Sequence, residues 1–250
     1  MEAMDAEFDV VAGWTLEAVR RLGDDHAVPA ACRGSASPAA LAWLGEACEL
    51  EPGATLLDVG GGVGGPSAHA AERFGVRPVL LEPMPVAARA AAELFGLNAL
   101  VGAGDRLPLA ADSVDAVWCL GVLCTTTKKA ALLDEVRRVL RRRGPLGLLV
   151  FTADDPHPPG APDGNEFPSE KGLASLLDEA GFDLVEQAEL DDFAEAPLSW
   201  AERADRVEQA VEAAHGSDPR FGVAQDQRQR IGLLLSSGQV TGRLVHAVVR

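Results

Sequence analysis

Tyrosine is absent from this 250-residue chain, and phenylalanine and tryptophan together reach only 5%. Few side chains are therefore available as stacking platforms for bases. Positive charge is also scarce: 22 lysines and arginines stand against 38 acidic residues, for a net charge of −16. A polynucleotide backbone is held mainly by neutralising its phosphates, so this balance argues against a nucleic-acid partner. The one basic cluster, Arg137, Arg138, Arg141, Arg142 and Arg143, is spaced for the end of a helix, where cations complement the helix dipole. The four cysteines, Cys32, Cys48, Cys119 and Cys124, form no CxxC pair and no iron–sulfur triplet, which leaves burial as small hydrophobes. No apolar run approaches the roughly 20 residues of a membrane-spanning helix. The start of the chain, with Met1, Glu2, Asp5 and Glu7, lacks the basic and apolar segments of a signal peptide. The expected compartment is the cytoplasm, with no membrane partner.

What the chain does have is apolar content: 47%, enough for one large domain with a real core. Residues 1–50 read as a helical preface. Phe8, Val11, Trp14 (or Leu16) and Val19 recur at helical spacing until Gly23 and Pro29 break the pattern. Ser37 before Pro38 is a helix start, with Leu41, Leu44 and Cys48 on one face. From Ala54 the pattern changes to short apolar runs at 54–59, 77–82, 98–102, 114–120 and 146–151. Helix candidates near 65–74, 85–95 and 128–141 separate them. Runs apolar on both faces belong to strands covered on both sides, which predicts a doubly wound, mostly parallel α/β sheet. A Pro- and Gly-rich stretch follows 151. After it come a helix near 169–180, a strand near 182–189, two helical patches and a last strand near 242–249.

The strand at 54–59 runs into Gly60-Gly61-Gly62-Val63-Gly64-Gly65 and then a helix. Glycines there let the backbone bend sharply and approach a ligand, and the helix N-terminus offers free N–H groups. Taken alone, the turn also satisfies the dinucleotide-binding spacing. Asp58, two residues before Gly60, separates the cofactors: a carboxylate beside a pyrophosphate is repulsive, and beside a cationic amino acid it is favourable. Glu82 ends the next strand, where an acid can accept both hydroxyls of a ribose. Gly104-Asp105 follows the third strand, with Asp105 placed to accept from an adenine amino group.

Together these residues resemble the class I S-adenosylmethionine-dependent methyltransferases of the small-molecule group, over about residues 54–151. The resemblance implies a Rossmann-like, seven-stranded, mostly parallel sheet with an N-terminal helical lid over 1–50. The methyltransferase domain would then occupy 51–250, with extra helices before the last strand and acceptor-pocket insertions at about 155–235. It implies S-adenosylmethionine as cofactor and a small-molecule methyl acceptor, with natural-product biosynthesis as a setting and a homodimer as an assembly. Asp58, Gly60, Gly61, Gly62 and Gly64 would hold the methionine part and Glu82 the ribose. Gly104 and Asp105 would hold the adenine, flanked by Pro83, Met84 and Arg106, with Leu120 and Gly121 under the methionine arm. Pro83 and the tract Leu140-Arg141-Arg142-Arg143-Gly144-Pro145 depart from the family's usual pattern.

A methylsulfonium is already a strong electrophile, so alignment and water exclusion are the main tasks. For an oxygen or nitrogen acceptor a base is expected, and His26, His157 and Glu166 are the candidates. Asp154, Asp155 and His157 do not make a cage, and no metal is expected. Arg33, alone among small residues before a capped helix, is a candidate partner for the cofactor's carboxylate. Three other readings stay open: a cyclisation or isomerisation steered by the sulfonium, a non-catalytic cofactor-binding module, and an NAD-dependent dehydrogenase.

Overall fold

The structure, a computed structural model, describes residues 4–250. Met1 and Glu2, used above to judge the start of the chain, lie outside the described residues, as do the side chains of Asp5 and Glu7. Seven strands form one sheet: β1 (Thr55–Val59), β2 (Arg77–Glu82), β3 (Asn98–Val101), β4 (Ala116–Leu120), β5 (Pro145–Thr152), β6 (Phe182–Glu189) and β7 (Thr241–Val249). Their spatial order is β3-β2-β1-β4-β5-β7-β6, with β7 alone antiparallel to its neighbours. The strand order reverses between β1 and β4, so the crevice beyond their carboxyl ends is where an open α/β sheet accepts a ligand.

A π-helical turn (Asp5–Val10) leads into α1 (Val11–Leu22), followed by α2 (Ala27–Ala31) and α3 (Pro38–Ala47). The crossover helices are α4 (Gly65–Phe74), α5 (Pro85–Phe95), α6 (Lys129–Val139) and α7 (Glu170–Glu179). Two long helices, α8 (Leu198–His215) and α9 (Pro219–Ser236), are inserted between β6 and β7. The predicted start of α3 holds: the Ser37 hydroxyl accepts from the Ala40 N–H at 3.3 Å, and Leu41, Leu44 and Cys48 are buried. Pro29 does not break the preface as expected. It sits in the first turn of α2, where the missing N–H has no intrahelical partner to lose.

Side chains alternate across the sheet and divide the core in two. Leu57, Val59, Val117, Leu146 and Leu148 pack with α6 and α7. Leu56, Trp118, Leu149 and Leu244 pack on the other face, with Leu41 and Leu44 of α3. The same alternation puts Asp58 on the face of Leu56, beneath the N-terminal helices. Those helices share a smaller core with α8, made by Trp14, Val19, Ala27, Val207 and Val211.

The cover touches the sheet's ligand edge through backbone. A Cβ on Gly65 would lie 2.4 Å from the carbonyl carbon of Ala31 and 2.5 Å from the Cys32 nitrogen. Neither atom can swing aside as a side-chain tip would. We therefore expect Gly65→Ala to displace α2 and lower the unfolding free energy by about 1–3 kcal/mol. Urea denaturation checks this, and an unchanged midpoint would contradict the packing described.

Candidate cofactor site

The turn after β1 is held open by backbone geometry. Gly60, Gly62 and Gly64 have φ of 71°, 54° and 86°, a region that costs an L side chain energy and glycine little. The Gly60 N–H donates to the Leu81 carbonyl at 2.7 Å, which ties the turn to β2. A Cβ on Gly62 or Gly121 would meet nothing within 4 Å, so the turn and the end of β4 both face free space. Val122 lies against Gly60, where a Cβ would come within 2.4 Å of its Cγ2.

Asp58 is the electrostatic centre of this edge. It is 1% exposed, and its Oδ2 accepts a 2.7 Å hydrogen bond from the Ser67 hydroxyl in the first turn of α4. Its Oδ1 is buried with no partner. Burial pushes the carboxyl up to about 6, opposed by the Ser67 hydrogen bond and reinforced by the nearby Glu82 charge. An orphaned carboxylate oxygen in a dry setting is costly, unless a cationic donor completes it.

Glu82 is buried and doubly engaged. Its Oε2 accepts from the Gly62 N–H at 2.9 Å and its Oε1 from the Met84 N–H at 3.0 Å. Each oxygen keeps lone-pair capacity for a further donor. Burial raises its pKa, with the two backbone donors opposing the shift and Asp9 adding to it. Asp9 of the π-helical turn caps α5, its Oδ1 accepting from Val86 N–H at 2.7 Å and Ala87 N–H at 3.3 Å. The start of the cover is thereby pinned two residues beyond Met84. Asp105 lies after β3 with its Oδ2 on Lys128 Nζ at 2.5 Å, which holds its carboxyl below the ordinary range. Its Oδ1 has no such partner.

Comparison with known proteins bears on this geometry. Residues 57–148 match the family described as a methyltransferase domain. An uncharacterized methyltransferase from Mycolicibacterium vanbaalenii is 38% identical over 113 residues, a stretch that spans 44% of each chain. Among solved structures, the cyclase SpnF superposes with a TM-score of 0.66 at 19% identity, covering 84% of this chain and 79% of its own. The cyclopropane synthase MmaA2 from Mycobacterium tuberculosis gives 0.64 at 17% identity, with 83% of both chains covered. A geranyl diphosphate C-methyltransferase from Streptomyces coelicolor, solved with S-adenosyl-L-homocysteine, gives 0.61 at 16%, covering 84% and 76%. Residues 57–148 thus match a methyltransferase domain, and the sheet that contains them has the fold of these structures.

The cofactor of these methyltransferases is S-adenosylmethionine, and the donor set fits it. The free buried oxygen of Asp58, the open glycine turn and the two-oxygen edge of Glu82 suit an ammonium, a close-lying chain and a diol. The other predicted residues are distributed less evenly. Pro83 and Met84 follow Glu82 at the start of α5, and Leu120 and Gly121 close β4 beside Val122. Arg106 is exposed beyond Asp105. Gly104 packs inward, since a Cβ there would sit 3.0 Å from Val59 and 3.1 Å from Leu132.

Arg33 is placed differently from its expected role. Its guanidinium bonds to Glu208 and, at 2.6 Å, to Asp205, both on α8. The two acids satisfy it inside the cover, so the structure puts no free arginine at the glycine turn from this position. Of the candidate bases, Glu166 is tied to the segment that follows β4: its N–H donates to the Cys124 carbonyl at 2.8 Å. Its Oε1 accepts from Lys129 Nζ at 3.0 Å, and the Lys129 side chain is 8% exposed. His157 is exposed on the same loop, its Nδ1 3.3 Å from the Asn165 carbonyl. Its N–H donates to Asp155 Oδ1 at 2.9 Å. His26 lies between α1 and α2, with Nδ1 3.3 Å from the Gly23 carbonyl and a buried Nε2 without a partner. Ser67, Asp9 and Lys129 were not anticipated. Ser67 alone carried a signal, a hydroxyl in the first turn of the helix that follows the glycines.

The Asp58 proton gives the site a measurable signature. Its folded-state pKa of about 6 exceeds the ordinary 3.8, so the ligand-free fold holds this proton more tightly than the unfolded chain. That stabilisation is complete below about pH 4 and is lost as pH rises through 6. Asp58→Asn keeps the Ser67 hydrogen bond and removes the titration. We expect it to raise the ligand-free unfolding free energy at pH 7 by up to about 3 kcal/mol. Thermal melts from pH 4 to 7 check this, the variant losing the wild-type decline.

Proposed function

We propose that this protein transfers a methyl group from S-adenosylmethionine to a small-molecule acceptor. The observation that carries the reading is the buried Asp58 carboxylate with one unpartnered oxygen, set beneath an open glycine turn at the sheet's switch point. In the ionised form it is the acceptor for the cofactor's ammonium. Gly60, Gly61, Gly62 and Gly64 leave room for the methionine chain, with Leu120 and Gly121 beneath it. Glu82 accepts from the ribose, and Gly104 and Asp105 border the adenine with Pro83, Met84 and Arg106 at its flanks.

When bound, the cofactor supplies an electrophilic methyl on a positive sulfur. The chain's own contribution is placement and exclusion of water. The helices of residues 4–50, sealed onto the turn at Gly65 and onto α5 through Asp9, act as the lid. The segment 155–235 supplies acceptor contacts. Glu166 is the candidate for holding or accepting an acceptor proton, because its loop is bonded to the loop after β4. His26 and His157 are the alternatives.

A natural-product acceptor and a cytoplasmic setting belong to this proposal, as does a homodimer. A second reading, a cyclisation on the same cofactor site, has the fold of SpnF behind it. Calorimetry with S-adenosylmethionine should show binding to the wild type. Below pH 6 the affinity should fall about tenfold per pH unit as Asp58 takes up its proton. Asp58→Asn and Glu82→Gln should each weaken binding about 10- to 100-fold, as charged hydrogen-bond partners do. Methyl-labelled cofactor with metabolite extract should yield labelled product and S-adenosylhomocysteine. Binding without either product supports the second reading, and no binding by folded protein overturns both.

A further inference from the structure

Ser67 is 0% exposed in the first turn of α4, a helix that carries alanine at its other small positions, Ala68, Ala70 and Ala71. An alanine at 67 would fill nearly the same space without taking a hydroxyl out of water, which costs free energy unless the hydroxyl finds a partner. A serine in a helix ordinarily returns its hydroxyl to a carbonyl of the preceding turn. Here the hydroxyl crosses to β1 and donates to Asp58 Oδ2 at 2.7 Å. Pro66 beside it has no N–H to offer.

The bond makes the two oxygens of Asp58 different. Oδ2 is closed in by Ser67 and by the glycine turn, since a Cβ on Gly61 would lie 2.8 Å from it. Oδ1 is buried and has no partner among the described residues. A hydrogen bond donated to a carboxylate favours its charged form, and burial opposes that form. Three titratable groups surround Asp58: Glu82 of β2, Cys32 beyond α2 and Cys119 of β4. The Glu82 charge opposes ionisation of Asp58. Burial pushes both thiols up, and the Asp58 charge adds to that shift, so both are neutral near pH 7. Within this shell, Ser67 is the group that draws Asp58 toward its ionised form.

From this geometry we propose that Ser67 is a positioning residue for cofactor binding. Its hydroxyl pins Oδ2 and leaves Oδ1 presented, ionised, to the ammonium of S-adenosylmethionine. The inference rests on the methyl-transfer reading for its ligand, and on the buried Ser67–Asp58 bond alone for its proton. Without the hydroxyl, both oxygens lie dry and unbonded, and the carboxyl keeps its proton to higher pH. The cofactor must then displace that proton to water before its ammonium is accepted.

Calorimetric titration of the full chain with S-adenosylmethionine, wild type against Ser67→Ala, tests it across pH. Loss of one charge-assisted hydrogen bond should move the Asp58 inflection up by about one pH unit. Relative to wild type, affinity should then fall about tenfold near pH 5.5 and less than about twofold near pH 8.5. Taking the ratio at each pH cancels the titration of the cofactor's own amine. A hydroxyl that only filled space would cost the same factor at every pH, so a uniform loss, or none, overturns the inference. In an Asp58→Asn background the pH dependence of the Ser67→Ala effect should vanish; its persistence also overturns the inference. Ser67→Cys, a near-isostere with a weak donor, should lie between and serves where the alanine variant fails to fold. Thermal melts without cofactor follow the proton directly. The wild-type decline in stability, complete near pH 6, should run about one pH unit higher in Ser67→Ala, and an unmoved decline overturns the inference. These melts keep the two proposals apart: a folded wild type that binds no cofactor sinks the methyl-transfer reading, whereas an unmoved decline beside intact cofactor binding sinks only this one.

Discussion

The architecture of this protein is organised around a carboxylate that the sheet buries without fully satisfying. Asp58 occupies the last turn of the pleat before the glycines, on the face covered by the N-terminal helices, and one oxygen finds only Ser67. An apolar residue there would make a more stable strand end. The local cost is tolerated where a larger set of interactions holds the strand in place. Here the pairing of β1 with both β2 and β4, and the apolar layers on each face, provide that support. A site destabilised in the absence of its ligand also binds a complementary cation with less competition from internal partners.

The same economy runs through the neighbouring acid. Glu82 uses both oxygens to receive backbone N–H groups, one from the glycine turn and one from the entry to α5. It is therefore a structural clasp between the glycine turn and α5. A carboxylate has about four lone-pair sites, and the backbone donors occupy only some of them. Asp9 adds a third acid nearby, anchored on free N–H groups of α5. The result is a strongly acidic rim beside a sheet edge, suited to a cationic amino acid and hostile to the pyrophosphate of a dinucleotide.

Much of this was legible in the chain because strand and crossover-helix positions follow from local patterning. The runs at 77–82 and 182–189 coincide with β2 and β6, and Ser37-Pro38 starts α3 through a side-chain cap. The glycine turn was legible because its conformation needs those residues. The preface was less so: Trp14 and Leu16 are both buried, since α1 packs against α5 on one side and α8 on another, and a single-face spacing cannot choose between them. Pro29 read as a breaker because first-turn positions are recognisable only once the helix start is known. The position of Arg33 was not legible at all. Its partners Asp205 and Glu208 are over 170 residues away, and which acids a lone arginine meets depends on tertiary packing. The Lys129–Glu166 pair escaped for the same reason.

The insertion between β6 and β7 explains why the cover is more than a flap. Helices α8 and α9 give the preface something apolar to pack against, and Trp14 is the hinge of that contact. Its ring stacks on His215 at 4.6 Å and 10°, with the Arg220 guanidinium 5.7 Å from its centroid. A preface held only by Asp9 and the Gly65 contact would rest on a few polar bonds exchangeable with water. Bonded to α8 through Arg33 and packed on it through Trp14, Val19 and Ala27, it is a second small core resting on the first. The backbone contact of α2 with Gly65 and the apolar packing of α1 on α8 therefore act on one body, so the cover is fixed to the sheet edge and to the insertion at once.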